Sequence, residues 1–137
     1  MRKVTLRGKV GNKGYAEGEA IVVRNSFGFW GTVDQHKGII TDRFNEARGK
    51  SFVGKILVVP STKGSSANWV MLRLCGRLKT NPKAIISGKG DPLIVGASIE
   101  NGTPYMYNFD KDPLAKIETG DYVKMNAEDG VVEVHKK

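Results

Sequence analysis

With 137 residues, 39% of them hydrophobic and 26% charged, the chain is long enough to bury one core and too short for two. A single cysteine, Cys75, excludes an internal disulfide, and together with two distant histidines, His36 and His135, it excludes a zinc or an iron–sulfur cluster held by this chain alone. The formal net charge of +8 is dispersed, without a long run of like charges, which reads as a solvated basic surface and argues against nucleic acid as the partner.

The chain opens Met1-Arg2-Lys3 into a polar, alternating stretch with no apolar signal run, and no segment is long enough to cross a bilayer. A soluble, cytoplasmic chain with no membrane partner and no metal site of its own is expected. Seventeen glycines point to many tight turns and short strands. Lys3 to Val10 alternates, with Val4, Leu6 and Val10 apolar; Gly11-Asn12-Lys13-Gly14 is a turn; Ala16 to Val23 alternates again. The pair predicts a long hairpin. Asn25 to Asp34 follows, where Phe27, Phe29 and Trp30 are interleaved with glycines. Such a segment serves as a core plug under a loop or as the wall of a pocket or partner surface, and both roles are compatible.

Gly38 to Asp42 reads as a short strand and Arg43 to Phe52 as an irregular excursion. The clearest unit comes next. Lys55 to Val59 is a buried strand, Ser66 to Leu78 a helix with Val70, Leu74 and Leu78 on one ridge beside Met71 and Cys75, and Lys83 to Ser87 a second buried strand. Thr80-Asn81-Pro82 ends the helix, and the spacing predicts a βαβ unit with parallel strands. Leu93 to Ala97, Tyr105 to Phe109, Tyr122 to Met125 and Val131 to Val134 read as further strands. The sum is one mixed, β-rich α+β domain over residues 1–137, with one dominant helix at about 66–78.

The junction Lys63-Gly64-Ser65-Ser66 carries the candidate chemistry. A strand that turns through small residues into a helix presents free backbone N–H groups at the positive end of the helix dipole. The order is not a Walker A loop, because Lys63 precedes its glycine, and not a Gly-x-Ser-x-Gly elbow. An ordinary cap by Ser65 or Ser66 explains one serine. An anion cradle formed by Lys63, Gly64 and Ser66, with a serine whose alkoxide the helix end stabilises, explains all four residues. A different class, a basic β-rich RNA-binding module with Phe27, Phe29 and Trp30 as stacking platforms, stays open on charge and aromatics alone.

Taken in order, Gly18-Glu19-Ala20, Phe29-Trp30-Gly31, Gly54 to Pro60, Gly64-Ser65-Ser66, Ala84-Ile85-Ile86, Asp91-Pro92 and Thr119-Gly120-Asp121 make the chain resemble the aconitase X swivel domain family over nearly its full length. The resemblance implies a swivelling β/β/α domain with a barrel-like sheet, acting as the small subunit that closes over a catalytic large subunit in a heterodimer or higher assembly. It implies an iron–sulfur cluster bound by that partner and none by this chain. It also implies Ser65 as proton acceptor, with Lys63, Gly64 and Ser66 binding a phosphorylated hydroxy acid. In archaeal members the implied reaction is dehydration of 5-phosphomevalonate to trans-anhydromevalonate 5-phosphate in a mevalonate pathway; a cis-3-hydroxyproline dehydratase small subunit is the alternative within the same family. The chain departs from the family pattern at Lys63, often Arg, and at Thr32, Gln35, Asn45-Glu46 and Ala67.

Overall fold

A computed structural model describes residues 2–137; Met1, which heads the polar opening stretch, lies outside them. The described residues form ten strands and three helices, the helices interspersed among the strands of the second half. The main sheet has eight strands in the order β1-β10-β9-β3-β6-β7-β8-β2. Its two outer strands, β1 (Lys3–Arg7) and β2 (Lys9–Asn12), are consecutive in sequence and separated only by Gly8. One stretch of chain therefore supplies both edges and closes the sheet into a barrel, which removes the exposed edges an open sheet would carry.

The predicted hairpin does not form. β1 pairs antiparallel with β10 (Val131–His135), β2 with β8 (Tyr105–Tyr107), and β3 (Tyr15–Val22) with β9 (Tyr122–Asn126). Alternation identifies a strand and its inward face but not its neighbour. Here Val4 faces Val134 and Leu6 faces Val132 across the ladder, so apolar cross-strand pairs choose the distant partner.

The predicted βαβ unit is present: β6 (Ile56–Val59) and β7 (Ala84–Ser87) are parallel neighbours joined by α1 (Ser66–Leu78). A second unit lies beside it. Leu93 to Ala97 is no strand; it belongs to α2 (Pro92–Asn101), which joins β7 to the parallel β8. Asp91 caps that helix, Pro92 occupies its first turn and Gly102 ends it at φ 68°, all recognised helix boundary signals. Its inward residues, Ile94, Ala97 and Ser98, recur at helical spacing, so the apolar run that imitates a strand is half of an amphipathic helix. A short α3 (Pro113–Lys116) and a small β4–β5 ribbon (Val33–Asp34 with Ile39–Ile40) complete the chain.

Neighbouring residues along the strands divide two cores. Ile56, Val58, Ala84 and Ile86 point into the barrel with Leu6, Met125 and Val132, whereas Leu57, Val59 and Ile85 point outward beneath the helices with Leu72, Ile94 and Ala97. The buried face of α1 is Asn68, Leu72 and Cys75, not the predicted Val70–Leu74–Leu78 ridge; Val70 is 44% and Leu78 37% exposed. The polar Asn68 disguises the true inward face. Phe27, Phe29 and Phe52 stack edge to face in the outer core with ring centroids 5.0 to 6.4 Å apart. That burial removes Phe27 and Phe29 as stacking platforms for RNA; of the three aromatics only Trp30, 64% exposed, faces outward.

Candidate active site

β6 ends at Val59, and Pro60, Ser61 and Thr62 carry the chain up to α1. Ser65 is the N-cap of that helix: its backbone is extended (φ −154°, ψ 140°), and its Oγ accepts the N–H of Ala67 at 3.1 Å. This satisfies one of the N–H groups that a helix start leaves unpaired and directs a positive dipole at the hydroxyl oxygen. The capping reading and the alkoxide reading are thus the same geometry, because an N–H that donates to a hydroxyl donates more strongly to its anion.

The four predicted site residues share one turn. Ser65 is half-buried, while Lys63, Gly64 and Ser66 are exposed. A Cβ built on Gly64 meets nothing within 4 Å, and Gly64 is not among the left-handed glycines. Neither the backbone nor packing within the chain demands glycine there; a small residue keeps the approach to Ser65 open. Among the described residues Lys63 makes no ion pair, so its charge is available to an anion.

Long-range bonds fix the turn. The N–H of Lys63 donates to Phe27 O at 2.9 Å and the N–H of Phe27 to Ser61 O at 3.0 Å, which docks the aromatic loop alongside. Buried Asn68, one turn into α1, accepts the N–H groups of Phe29 (3.0 Å) and Trp30 (3.2 Å) on Oδ1 and donates from Nδ2 to the carbonyl of Lys63. The Thr62 hydroxyl donates to Asp91 Oδ2 at 2.7 Å.

Through Asp91 the turn is joined to a second strand-to-helix junction. Lys89-Gly90-Asp91 repeats the order lysine, glycine, capping residue ahead of α2, and Asp91 Oδ1 accepts the N–H of Leu93 at 3.0 Å. A cavity of about 560 Å³ opens there, lined among others by Lys89, Asp91, Tyr107 and Asn108. Beneath it, burial pushes the Tyr105 hydroxyl up to about 12, so it stays neutral, bonded to Ser87 Oγ at 2.6 Å. Sequence reasoning missed this cavity; the signal was the repeated Lys-Gly-cap order at the ends of two adjacent parallel strands.

Cys75 is buried, and burial pushes its thiol up. Among the described residues no group of three or more His, Cys, Asp or Glu side chains could hold a metal ion, so the donor set does not fit an iron–sulfur cluster. Among the described residues no helix is long and apolar enough to cross a membrane. What the arrangement offers is an acceptor oxygen at a helix N-terminus, the Lys63 ammonium beside it with no ion-pair partner among the described residues, and a second lysine at the neighbouring junction.

The profile of the aconitase X swivel domain matches residues 5–134. The phosphomevalonate dehydratase small subunit of Pyrococcus horikoshii is 38% identical over 129 residues, covering 94% of both chains. That of Methanosarcina mazei is 31% identical over 137 residues, covering 100% of this chain and 95% of its own. The crystal structure of Thermococcus kodakaraensis aconitase X in its holo-form superposes with a TM-score of 0.90 at 35% identity, covering 97% of this chain and 99% of that one.

Proposed function

From the premise that this chain belongs to the aconitase X swivel domain family, we propose that it is the small subunit of a hydro-lyase that dehydrates 5-phosphomevalonate to trans-anhydromevalonate 5-phosphate. The observation that supports this reading best is Ser65 itself, a hydroxyl that caps a helix within an exposed turn and accepts a backbone N–H. The large subunit is the partner, and the iron–sulfur cluster of this reading belongs to it.

The part this chain plays is the proton. The substrate carries its hydroxyl β to a carboxylate, so elimination requires removal of a hydrogen from the carbon between them. Ser65 Oγ, as the alkoxide, takes that proton; the C–H electron pair becomes the new double bond, and the hydroxyl leaves and is protonated to water, a departure for which the partner's cluster would supply Lewis acidity when bound. The Ala67 N–H and the α1 dipole stabilise the anion beforehand, on the scale of a few kcal/mol that a lost oxyanion donor costs (about 3). Lys63, Gly64 and Ser66 hold an anionic end of the substrate against the same turn. Because these residues lie at the surface, the alkoxide persists only when the large subunit covers the turn and excludes water. The small subunit alone is therefore inactive.

The test is reconstitution with the large subunit of the same organism, followed by a panel of 5-phosphomevalonate, unphosphorylated mevalonate and cis-3-hydroxyproline. The complex is expected to dehydrate the first and leave the others, and neither chain alone to turn over any. Turnover of cis-3-hydroxyproline without that of 5-phosphomevalonate would overturn the substrate assignment.

A further inference from the structure

Asn68 occupies a place where the helix pattern calls for an apolar residue. It is 3% exposed and shares the inward face of α1 with Leu72 and Cys75. A polar group buried there is costly unless its bonds are met. The bonds it finds all lead to the active-site turn and its neighbouring loop. Oδ1 accepts the backbone N–H groups of Phe29 and Trp30, and Nδ2 donates to the carbonyl of Lys63. The partners fix the orientation of the amide: two N–H groups require an acceptor on one side, and a carbonyl requires a donor on the other.

Two further observations show how closely the parts are set. A Cβ on Gly28 would come within 3.1 Å of Asn68 Oδ1 and 3.4 Å of Lys63 Cδ, so the loop backbone runs directly against both side chains. The Asn68 N–H also donates to the Ser65 carbonyl at 3.0 Å, which ties the clamp to the residue that bears the acceptor hydroxyl. The side-chain amide thus joins the carbonyl before Gly64 to the loop that presents the exposed Trp30, and the backbone N–H of the same residue holds the first turn behind Ser65.

We propose that Asn68 is a positioning residue for the Ser65 site, locking the Lys63-Gly64-Ser65 turn and the Trp30 loop into one rigid surface. The inference rests on the reading of Ser65 as proton acceptor and adds to it the group that holds Ser65 and Lys63 in register. Without the clamp the helix and the core remain, because Leu72, Cys75 and the aromatic trio are untouched, but the turn and the loop drift apart. Misplacement of reacting groups by about an ångström is enough to cost on the order of a hundredfold in rate.

Two variants in the reconstituted complex test this. Asn68→Leu removes the whole clamp and fills the core with an apolar side chain; Asn68→Asp keeps the shape and the acceptor for Phe29 and Trp30 but loses the donor to Lys63. Both are expected to assemble, to lower kcat by roughly tenfold to a hundredfold and to leave KM for 5-phosphomevalonate within about threefold. In the free small subunit, amide exchange at Phe29 and Trp30 should accelerate in Asn68→Leu and stay slow in Asn68→Asp. Wild-type kcat in either variant, or equal losses of kcat and assembly in both, would overturn the inference. Ser65→Ala run in parallel separates the two readings. An inactive Ser65→Ala beside fully active Asn68 variants removes Asn68 alone, whereas an active Ser65→Ala removes the acceptor reading and Asn68's role with it.

Discussion

Asp121 is fully buried, and its surroundings show how the segment Thr119-Gly120-Asp121 is held in place. Burial pushes its carboxyl up, but bonds from the Lys136 ammonium and from the N–H groups of Glu118 and Lys137 outweigh that and hold it below the usual range. The segment also extends the ladder between β3 and β9: Gly120 N–H donates to Ala20 O at 3.0 Å, and Ala20 N–H donates to Asp121 O at 2.8 Å. Its role is structural. A carboxyl whose folded value lies below its unfolded value of about 3.9 stabilises the fold above that pH, and the contribution is lost as pH falls through the folded value. Replacing Lys136 by Met strands a buried carboxylate, so Lys136→Met should lose about 3 kcal/mol at pH 7, and the deficit should shrink as Asp121 takes up a proton on acidification. Urea unfolding across pH measures both; a deficit of the same size at pH 7 and well below the carboxylate range would contradict the assignment. At this scale the sequence marked Ser65 and Asp121 by motif, but Asn68 was invisible. A lone polar residue on a helix is counted as solvent-facing unless its distant partners, here Phe29 and Trp30, are known.

Secondary-structure elements account for where the site sits. Two adjacent parallel strands, β6 and β7, each end in a lysine–glycine–cap turn that starts a helix, and the Thr62–Asp91 bond couples the two turns. Asp91 does double duty, with one oxygen on the Leu93 N–H and the other on the Thr62 hydroxyl. Asp91→Ala should therefore cost about 2 kcal/mol, the sum of a lost cap and an unpaired hydroxyl. Asp91→Asn, which keeps both acceptor contacts through one oxygen or the other only in part, should fall between. Equal urea midpoints for wild type and Asp91→Ala would refute the coupling. The first βα unit was legible because its helix is long and its two short strands are unbroken apolar runs with clean boundaries. The second was not, since Leu93-Ile94-Val95 imitates a strand; Asp91-Pro92 and Gly102 were its true boundary marks, and burial of Ile94, Ala97 and Ser98 shows which period won.

For the whole molecule, the chain segment 3–12 closes a barrel whose parallel side carries two helices, and the helix N-termini mark one end of that side as the working face. Composition and motif order conveyed the class and the family. Apart from the parallel β6–β7 pair, the strand partners were not legible, because an alternating strand such as Lys3–Arg7 fits any apolar neighbour and only closure selects β10. On the proposed reading a large subunit covers the candidate acceptor, and the hydroxyl and the cap are separable by experiment. Ser65→Asn keeps a side-chain oxygen able to cap α1 and deletes the hydroxyl. In the reconstituted complex this variant should assemble and unfold within about 0.5 kcal/mol of wild type, the spread among good capping residues, while turnover of 5-phosphomevalonate disappears. Turnover at the wild-type rate by an assembled Ser65→Asn complex would show that the serine is a cap and nothing more.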